Sequence, residues 1–320
     1  MFSLVVRQAT AIPRVHAVAQ CSRARLVHVG RRHIQTASAT DGPAEAYLQE
    51  AKPGVHYLSL NRPKAKNAIS RRLLAVSRAH HARPSGTHTP PQEFHNCLDK
   101  LQFDKDARVL IVRSSTLGAF CAGADLAERR TMSRADVDKF LWDLRAALGR
   151  LENLPMPTIA AIDGPALGGG LELALACDLR VAGHSVTKIG LPETKLGIIP
   201  GAGGTQRLTR LLGISKAKNL IFTGRALTAH EALEFGVVDY VSEEDKSAVD
   251  KALVLAEEIS ENAPLALRAA KQAINRAPEL ALEAGLDFER SSYEPLLKTK
   301  DRDEALEAFK EKRKPVFKGE

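Results

Sequence analysis

Two glutamates stand out by their surroundings. Glu172 lies in residues 171–177, LELALAC, a run that is otherwise apolar, directly after Gly168-Gly169-Gly170. A carboxylate in such a run is costly unless it is paired, protonated or needed for chemistry. Glu193 is isolated in residues 190–205, GLPETKLGIIPGAGGT, ahead of a second glycine-rich turn. Glycines at a helix start expose backbone N–H groups that lack intrahelical partners. A third motif, FCAGADL at 120–126, is built of small residues that let a ligand approach the backbone. Taken singly, each glycine run reads as a structural turn. Backbone donors beside two carboxylates suit a reaction that builds an oxyanion and moves protons.

Other meanings of these residues fail. There is no GxxxxGK[ST], no GxGxxG after a strand, no GxSxG and no histidine pair at metal-ligand spacing. Cys21, Cys97, Cys121 and Cys177 are scattered without CxxC spacing, which reads as reduced thiols in packing roles and no zinc site.

The elements that must carry these motifs alternate. Residues 55–60, 109–113, 158–162 and 179–182 read as short, largely buried strands, and 133–153 and 171–177 as helices. That alternation predicts an α/β chain. From about residue 215 helical periodicity dominates, at 215–222, 229–235, 246–263, 264–276 and 299–314. Phe140 and Trp142 are expected in the core or in the wall of an acyl pocket. Asp178 reads as structural, and Arg207 and Arg210 as ion-paired. Residues 75–91, AVSRAHHARPSGTHTPP, follow neither period and interrupt a helix that would place Leu73, Leu74, Phe94, Cys97, Leu98 and Leu101 along one side. They read as a non-native insertion, translated intron sequence in preference to a surface loop.

The chain has 320 residues, 44% of them apolar, enough for one large or two smaller cores. No apolar run approaches the roughly 18 residues of a membrane helix. The formal charge of +8 is uneven. Residues 1–40 hold six arginines and no Asp, Glu or Lys, the composition of a disordered mitochondrial transit peptide, and the remainder carries +2. The basic balance therefore belongs to the leader and does not argue for nucleic acid.

Residues 120–126, the block GPALGGGLELALACDLRVA and the block GLPETKLGIIPGAGGTQRL together resemble the crotonase, or enoyl-CoA hydratase/isomerase, family. NRPKAKNAIS and AFKEKRKPVFKG resemble its two ends, so the resemblance spans roughly 53–320 apart from the insertion. It implies a spiral of ββα units over 41–255 and a helical trimerisation region over 256–320. It implies trimers or dimers of trimers, a mitochondrial matrix location and an acyl-CoA thioester substrate, with coenzyme A entering as part of that substrate and no other cofactor. Glu172 and Glu193 match the family's two carboxylates, and the N–H groups of Ala124 and Gly169 its oxyanion hole. CoA would be held largely by backbone near Ala65, Lys66 and Ala122, with Gly123, Asp125, Leu126 and Gly201 completing the substrate contacts. The sequence departs from the pattern at Ala127, where a basic residue is common. It departs again in the Asp178–Glu193 interval, one residue longer around 184–188.

The expected reaction is syn addition of water to a 2-trans-enoyl-CoA. The same resemblance admits a methylglutaconyl-CoA hydratase of leucine breakdown. An isomerase is disfavoured because both carboxylates are present, and decarboxylases and hydrolases rank lower. RNA binding would need a lysine-rich stretch near 70–105, where Arg71, Arg72, Lys100 and Lys105 are instead offset by Glu93, Asp99, Asp104 and Asp106. A non-catalytic homologue would follow if the insertion disrupted the fold.

Overall fold

The computed structural model describes residues 44–74 and 94–320. The expected leader, Cys21 and the expected insertion at 75–91 lie outside them. In chain order the elements are β1 (Ala46–Lys52), β2 (Val55–Leu60), α1 (Phe94–Phe103), β3 (Val109–Ser114), α2 (Leu126–Arg129) and α3 (Arg134–Glu152). β4 (Thr158–Ile162), β5 (Ala166–Leu167), α4 (Gly169–Leu175), β6 (Leu179–Ala182) and β7 (Ile189–Gly190) follow. A 3₁₀ turn, Glu193–Leu196, leads to α5 (Gly204–Leu212), α6 (Ile214–Thr223), α7 (Ala229–Phe235) and β8 (Tyr240–Val241). Four helices close the chain: α8 (Ala248–Ser260), α9 (Pro264–Arg276), α10 (Leu282–Tyr293) and α11 (Lys300–Glu311).

Six strands form one mixed sheet in the order β1-β2-β3-β4-β6-β8, antiparallel only between β1 and β2. β5 and β7 make a separate parallel pair. The central strands are buried on both faces, as parallel strands with helical crossovers must be. Their alternation divides the core. Leu110, Val112, Ala160 and Ile162 face the larger cluster with α1, α3 and α4. Val109, Ile111, Ile159 and Ala161 face the smaller one. There α8 lays Ala248, Ala252 and Ala256 on the sheet, small residues at four-residue spacing that bring helix and strands close. Each large apolar side chain buried this way contributes about 1.5–3 kcal/mol.

The expected strands and most of the expected helices are present. α8 runs through residue 255, so the point where the C-terminal region was expected to begin lies inside a helix. Leu73, Leu74, Phe94, Cys97, Leu98 and Leu101 are all buried in the larger cluster. The Phe94 N–H donates to Leu73 O at 3.3 Å. With residues 75–91 left out, Phe94 becomes the fourth residue after Leu73, which is the spacing of an α-helical hydrogen bond. The two flanks therefore meet in helical register. Among the described residues no helix is long and apolar enough to cross a membrane.

Candidate active site

α4 begins where β5 ends, and three glycines make that junction possible. Gly168 adopts φ +53°, a left-handed conformation that other residues resist. Its N–H donates to Gly190 O at 2.9 Å, tying the turn to β7. Gly170 packs so closely on the Cys121 carbonyl that an added Cβ would overlap it. The turn thus delivers Glu172, on the first turn of α4, into the protein with 3% exposure. Its Oε1 accepts the Ala202 N–H at 2.7 Å and the Gly204 N–H at 2.8 Å. Burial raises its pKa, while those two N–H groups and the charges of Arg207 and Arg145 oppose the rise.

Glu193 opens the 3₁₀ turn after β7 and is also buried. Its carboxylate lies against the α4 turn: a Cβ on Gly168 would come within 3.0 Å of Glu193 Oε1. Oε2 is buried and has no hydrogen-bond partner among the described residues. Burial pushes this carboxyl up to about 7. A local backbone hydrogen bond opposes the rise and the nearby Glu172 adds to it. Burial raises both glutamates, but they are supported unequally. One is supplied with donors and cations, and the other is left without either at its inner oxygen.

The two expected oxyanion donors come together. Gly169 is the first residue of α4, so its N–H is free of the helix. A Cβ built on it would lie 3.4 Å from the Ala124 nitrogen. The groups flanking Ala124 are engaged: Ile69 N–H donates to Gly123 O at 2.7 Å and Asp125 N–H to Ile69 O at 3.0 Å. Neither the Ala124 nor the Gly169 N–H donates to a protein acceptor among the described residues. Two free donors thus converge beside a pair of glutamates.

The expected CoA-contacting residues are partly assembled. Ala122 N–H donates to Lys66 O at 3.1 Å, joining the 63–66 turn to the 121–126 loop, and Ala122 and Lys66 are both exposed. Ala65 precedes Lys66 at the end of a short 3₁₀ turn. Gly123 sits in the loop at φ +93°, and Leu126 is 57% exposed. Gly201 is partly buried and its carbonyl is taken by Arg145 Nε at 2.7 Å. The Asp125 side chain is engaged within the protein. It caps α2 through the N–H groups of Ala127 and Glu128 and pairs with Arg62 at 3.0 Å.

Several supporting residues were not legible in the sequence. Arg62 bridges Glu45 and Asp125, both at 3.0 Å. Asn67, at φ +54°, accepts the Arg62 N–H at 2.7 Å and donates to Ser114 Oγ and Phe120 O. Together they pin the 62–68 loop to the strand end that leads into FCAGADL. Asn before a small apolar residue in a Pro-containing turn was the available signal. Arg207 is ion-paired as expected, with Glu152, whereas Arg210 is exposed and has no ion pair among the described residues. Phe140 is buried, but Trp142 is 74% exposed and does not belong to the core. A cavity of about 300 Å³ lined by Ser115, Asp163, His184 and Lys246 contains neither glutamate. Its Asp163 serves as a cap, accepting the N–H groups of Ala248 and Val249 at the start of α8.

Comparison with known proteins identifies the family. Residues 86–320 match the family model described as enoyl-CoA hydratase/isomerase. The chain belongs to that family. The match begins inside the interval 75–91. Among curated relatives, an enoyl-CoA isomerase/hydratase of Mycosarcoma maydis is 51% identical over 274 residues, covering 83% of this chain and 93% of that protein. The mitochondrial methylglutaconyl-CoA hydratase of Mus musculus is 47% identical over 277 residues, 86% of this chain and 82% of the relative. Among solved structures, the enoyl-CoA hydratase of Bacillus anthracis superposes with a TM-score of 0.78 at 44% identity. That alignment covers 86% of this chain and all of the other. The crotonase fold expected from the motifs, with its helical C-terminal region, is therefore the fold of this hydratase/isomerase.

Proposed function

We propose that the protein hydrates 2-trans-enoyl-CoA thioesters. The observation that carries this reading is the unequal treatment of two buried glutamates beside two free backbone donors. The thioester oxygen sits between the N–H groups of Ala124 and Gly169. Glu172, where two N–H donors and two arginine charges oppose the rise that burial causes, takes a proton from water as the water oxygen bonds to C3. Electrons of the C2–C3 double bond move toward the carbonyl, and the enolate charge is held by the two donors. Glu193, protonated near neutral pH, gives its proton to C2. Proton exchange between the two carboxyls resets the site. Addition from this one side is syn. A preorganised oxyanion donor typically accounts for about 3–4 kcal/mol of transition-state stabilisation.

The relatives named methylglutaconyl-CoA hydratase favour a branched, dicarboxylic substrate as the second reading, with the same proton chemistry. Mitochondrial relatives and the arginine-rich, acid-free residues 1–40 support import into the mitochondrial matrix. Exposed Ile274, Leu282 and Phe309 on α9, α10 and α11 support burial of the C-terminal region in a homotrimer or a pair of trimers. The test is loss of enoyl-thioester absorbance on crotonyl-CoA and on methylglutaconyl-CoA, with Glu172→Gln as control. Turnover of either substrate that the substitution abolishes is expected, and the faster one names the substrate. No turnover of either by folded protein that binds CoA overturns hydration.

A further inference from the structure

Glu172 does not choose its own orientation. Both donors to its Oε1 come from one turn, residues 201–204, and that turn is held from outside. Arg145 on α3 donates from Nε to Gly201 O at 2.7 Å. Two helical turns further along α3, Glu152 receives both Nε and Nη2 of Arg207, at 3.1 and 2.7 Å. The remaining arm of the same guanidinium, Nη1, donates to Ala202 O at 3.0 Å. Residues 145 and 152 are seven apart and share a face of α3. One helix therefore grips consecutive carbonyls of the turn, once directly and once through Arg207.

The fit leaves little room for another arrangement. An added Cβ on Gly203 would overlap the Arg207 guanidinium, and one on Gly204 would come within 3.0 Å of Glu172 Oε1. A planar guanidinium can serve a carboxylate with two donors and a carbonyl with a third, which a lysine ammonium cannot reproduce in one geometry.

We propose that Arg207, locked to Glu152, and Arg145 are positioning residues for Glu172. They fix the 201–204 turn so that its N–H groups hold Oε1 and leave Oε2 to the attacking water. This rests on the hydratase reading given above. The charged groups that face Glu172 are Arg207 and Arg145, which favour its ionised form, and Glu193, which stands across from it.

The test uses the full chain in wild-type form and as Arg207→Met, Arg207→Lys, Glu152→Gln and Arg145→Met. Two readouts are taken. One is kcat and KM for enoyl-CoA hydration. The other is the carboxyl titration of Glu172 in free protein by isotope-edited infrared spectroscopy, assigned with Glu172→Gln. Arg207→Met is expected to lower kcat about 10–100-fold with KM within about twofold, because a loosened carboxylate misplaces the water and not the CoA. Its Glu172 titration is expected to move to higher pH. Arg207→Lys keeps the charge but not the three-armed geometry, so its Glu172 titration is expected to move up as well, because the N–H groups of the loosened turn are the larger support of the ionised form, while kcat remains low. Glu152→Gln and the exposed Arg145→Met each remove part of one clamp, and a fall of about three- to tenfold is expected for each. Folded Arg207→Lys and Arg145→Met enzymes with kcat within about twofold of wild type would overturn the proposal. If wild type hydrates no enoyl-CoA, the hydratase reading fails. The titration then decides the positioning claim alone: a shift in the charge-conserving Arg207→Lys supports it and no shift overturns it.

Discussion

Glu172 and Asp178 lie six residues apart, one on the first turn of α4 and one just beyond its end, yet their surroundings are opposite. Asp178 Oδ2 meets the Lys271 ammonium at 2.7 Å, the Thr158 N–H at 2.7 Å and the Thr158 hydroxyl at 3.0 Å. Lys271 comes from α9 and also donates to Met156 O at 2.9 Å. That cluster neutralises a charge and fastens the C-terminal helices to the sheet. Around Glu172 and Glu193, two carboxylates face each other, the nearest cations act through a loop, and Glu193 Oε2 goes unpartnered. A fold built for stability alone would not leave a buried carboxyl in that state. The contrast separates a carboxylate that holds the chain together from the two that we propose exchange protons.

The contrast can be broken at either end. The largest expected effect is Glu172→Gln, which keeps the shape and removes the proposed base. It should lower kcat about 10³-fold with little change in Tm. Next is Gly169→Pro. The first position of a helix tolerates proline, so the substitution removes one proposed oxyanion donor where the helix least needs it. A loss of about 10²-fold in kcat is expected, with circular dichroism showing the helices retained.

The third prediction concerns pH. The Glu193 carboxyl is raised in the folded protein from 4.5 to about 7. Between those values the folded state binds a proton that the unfolded chain has released. The contribution of Glu193 is fully present below about pH 4.5 and is lost as pH rises through 7, by up to about 3 kcal/mol. Denaturant unfolding across that window should show wild-type stability falling relative to Glu193→Gln, which has no such dependence. Lys271→Met should act in the other direction. It leaves Asp178 without its cation, costs about 2 kcal/mol and lowers Tm, while kcat stays near wild type. The smallest effect is expected from deleting residues 75–91. Because Leu73 and Phe94 already meet in helical register, hydrogen exchange should find α1 still protected, with stability raised by about 1 kcal/mol from the shorter connection. Loss of that protection would mean the segment supports the fold.

Much of this was legible in the sequence, for identifiable reasons. β2, β3, β4 and β6 run apolar because both their faces are covered. α3, α7, α8 and α9 are long enough or well enough capped to show their period, with capping boxes at Ser133, Thr228 and Ser247. β1 was missed because it is an edge strand with exposed Gln49 and Glu50. β5, β7 and β8 are two residues each, too short for any period. α5 was absorbed into the glycine-rich motif that opens it. The glutamates and their glycine turns could be found because a lone carboxylate in an apolar run is a local anomaly. The clamps could not. Arg145 and Gly201 are 56 residues apart, as are Glu152 and Arg207 by 55, and nothing local marks arginines on an amphipathic helix as different from a solvated face. Trp142 misled for a related reason, since an aromatic residue next to a core position reads as core until the face of the helix is known.

The most direct test of the central claim is the protonation state of Glu193 in the free enzyme. Isotope-edited infrared titration of wild type against Glu193→Gln would read it without substrate. A carboxyl that titrates near pH 7 and vanishes in Glu193→Gln is the predicted result. If Glu193 is ionised throughout and titrates below about pH 5 like an exposed glutamate, it holds no proton to give to C2, and the division of labour between the two carboxylates is wrong.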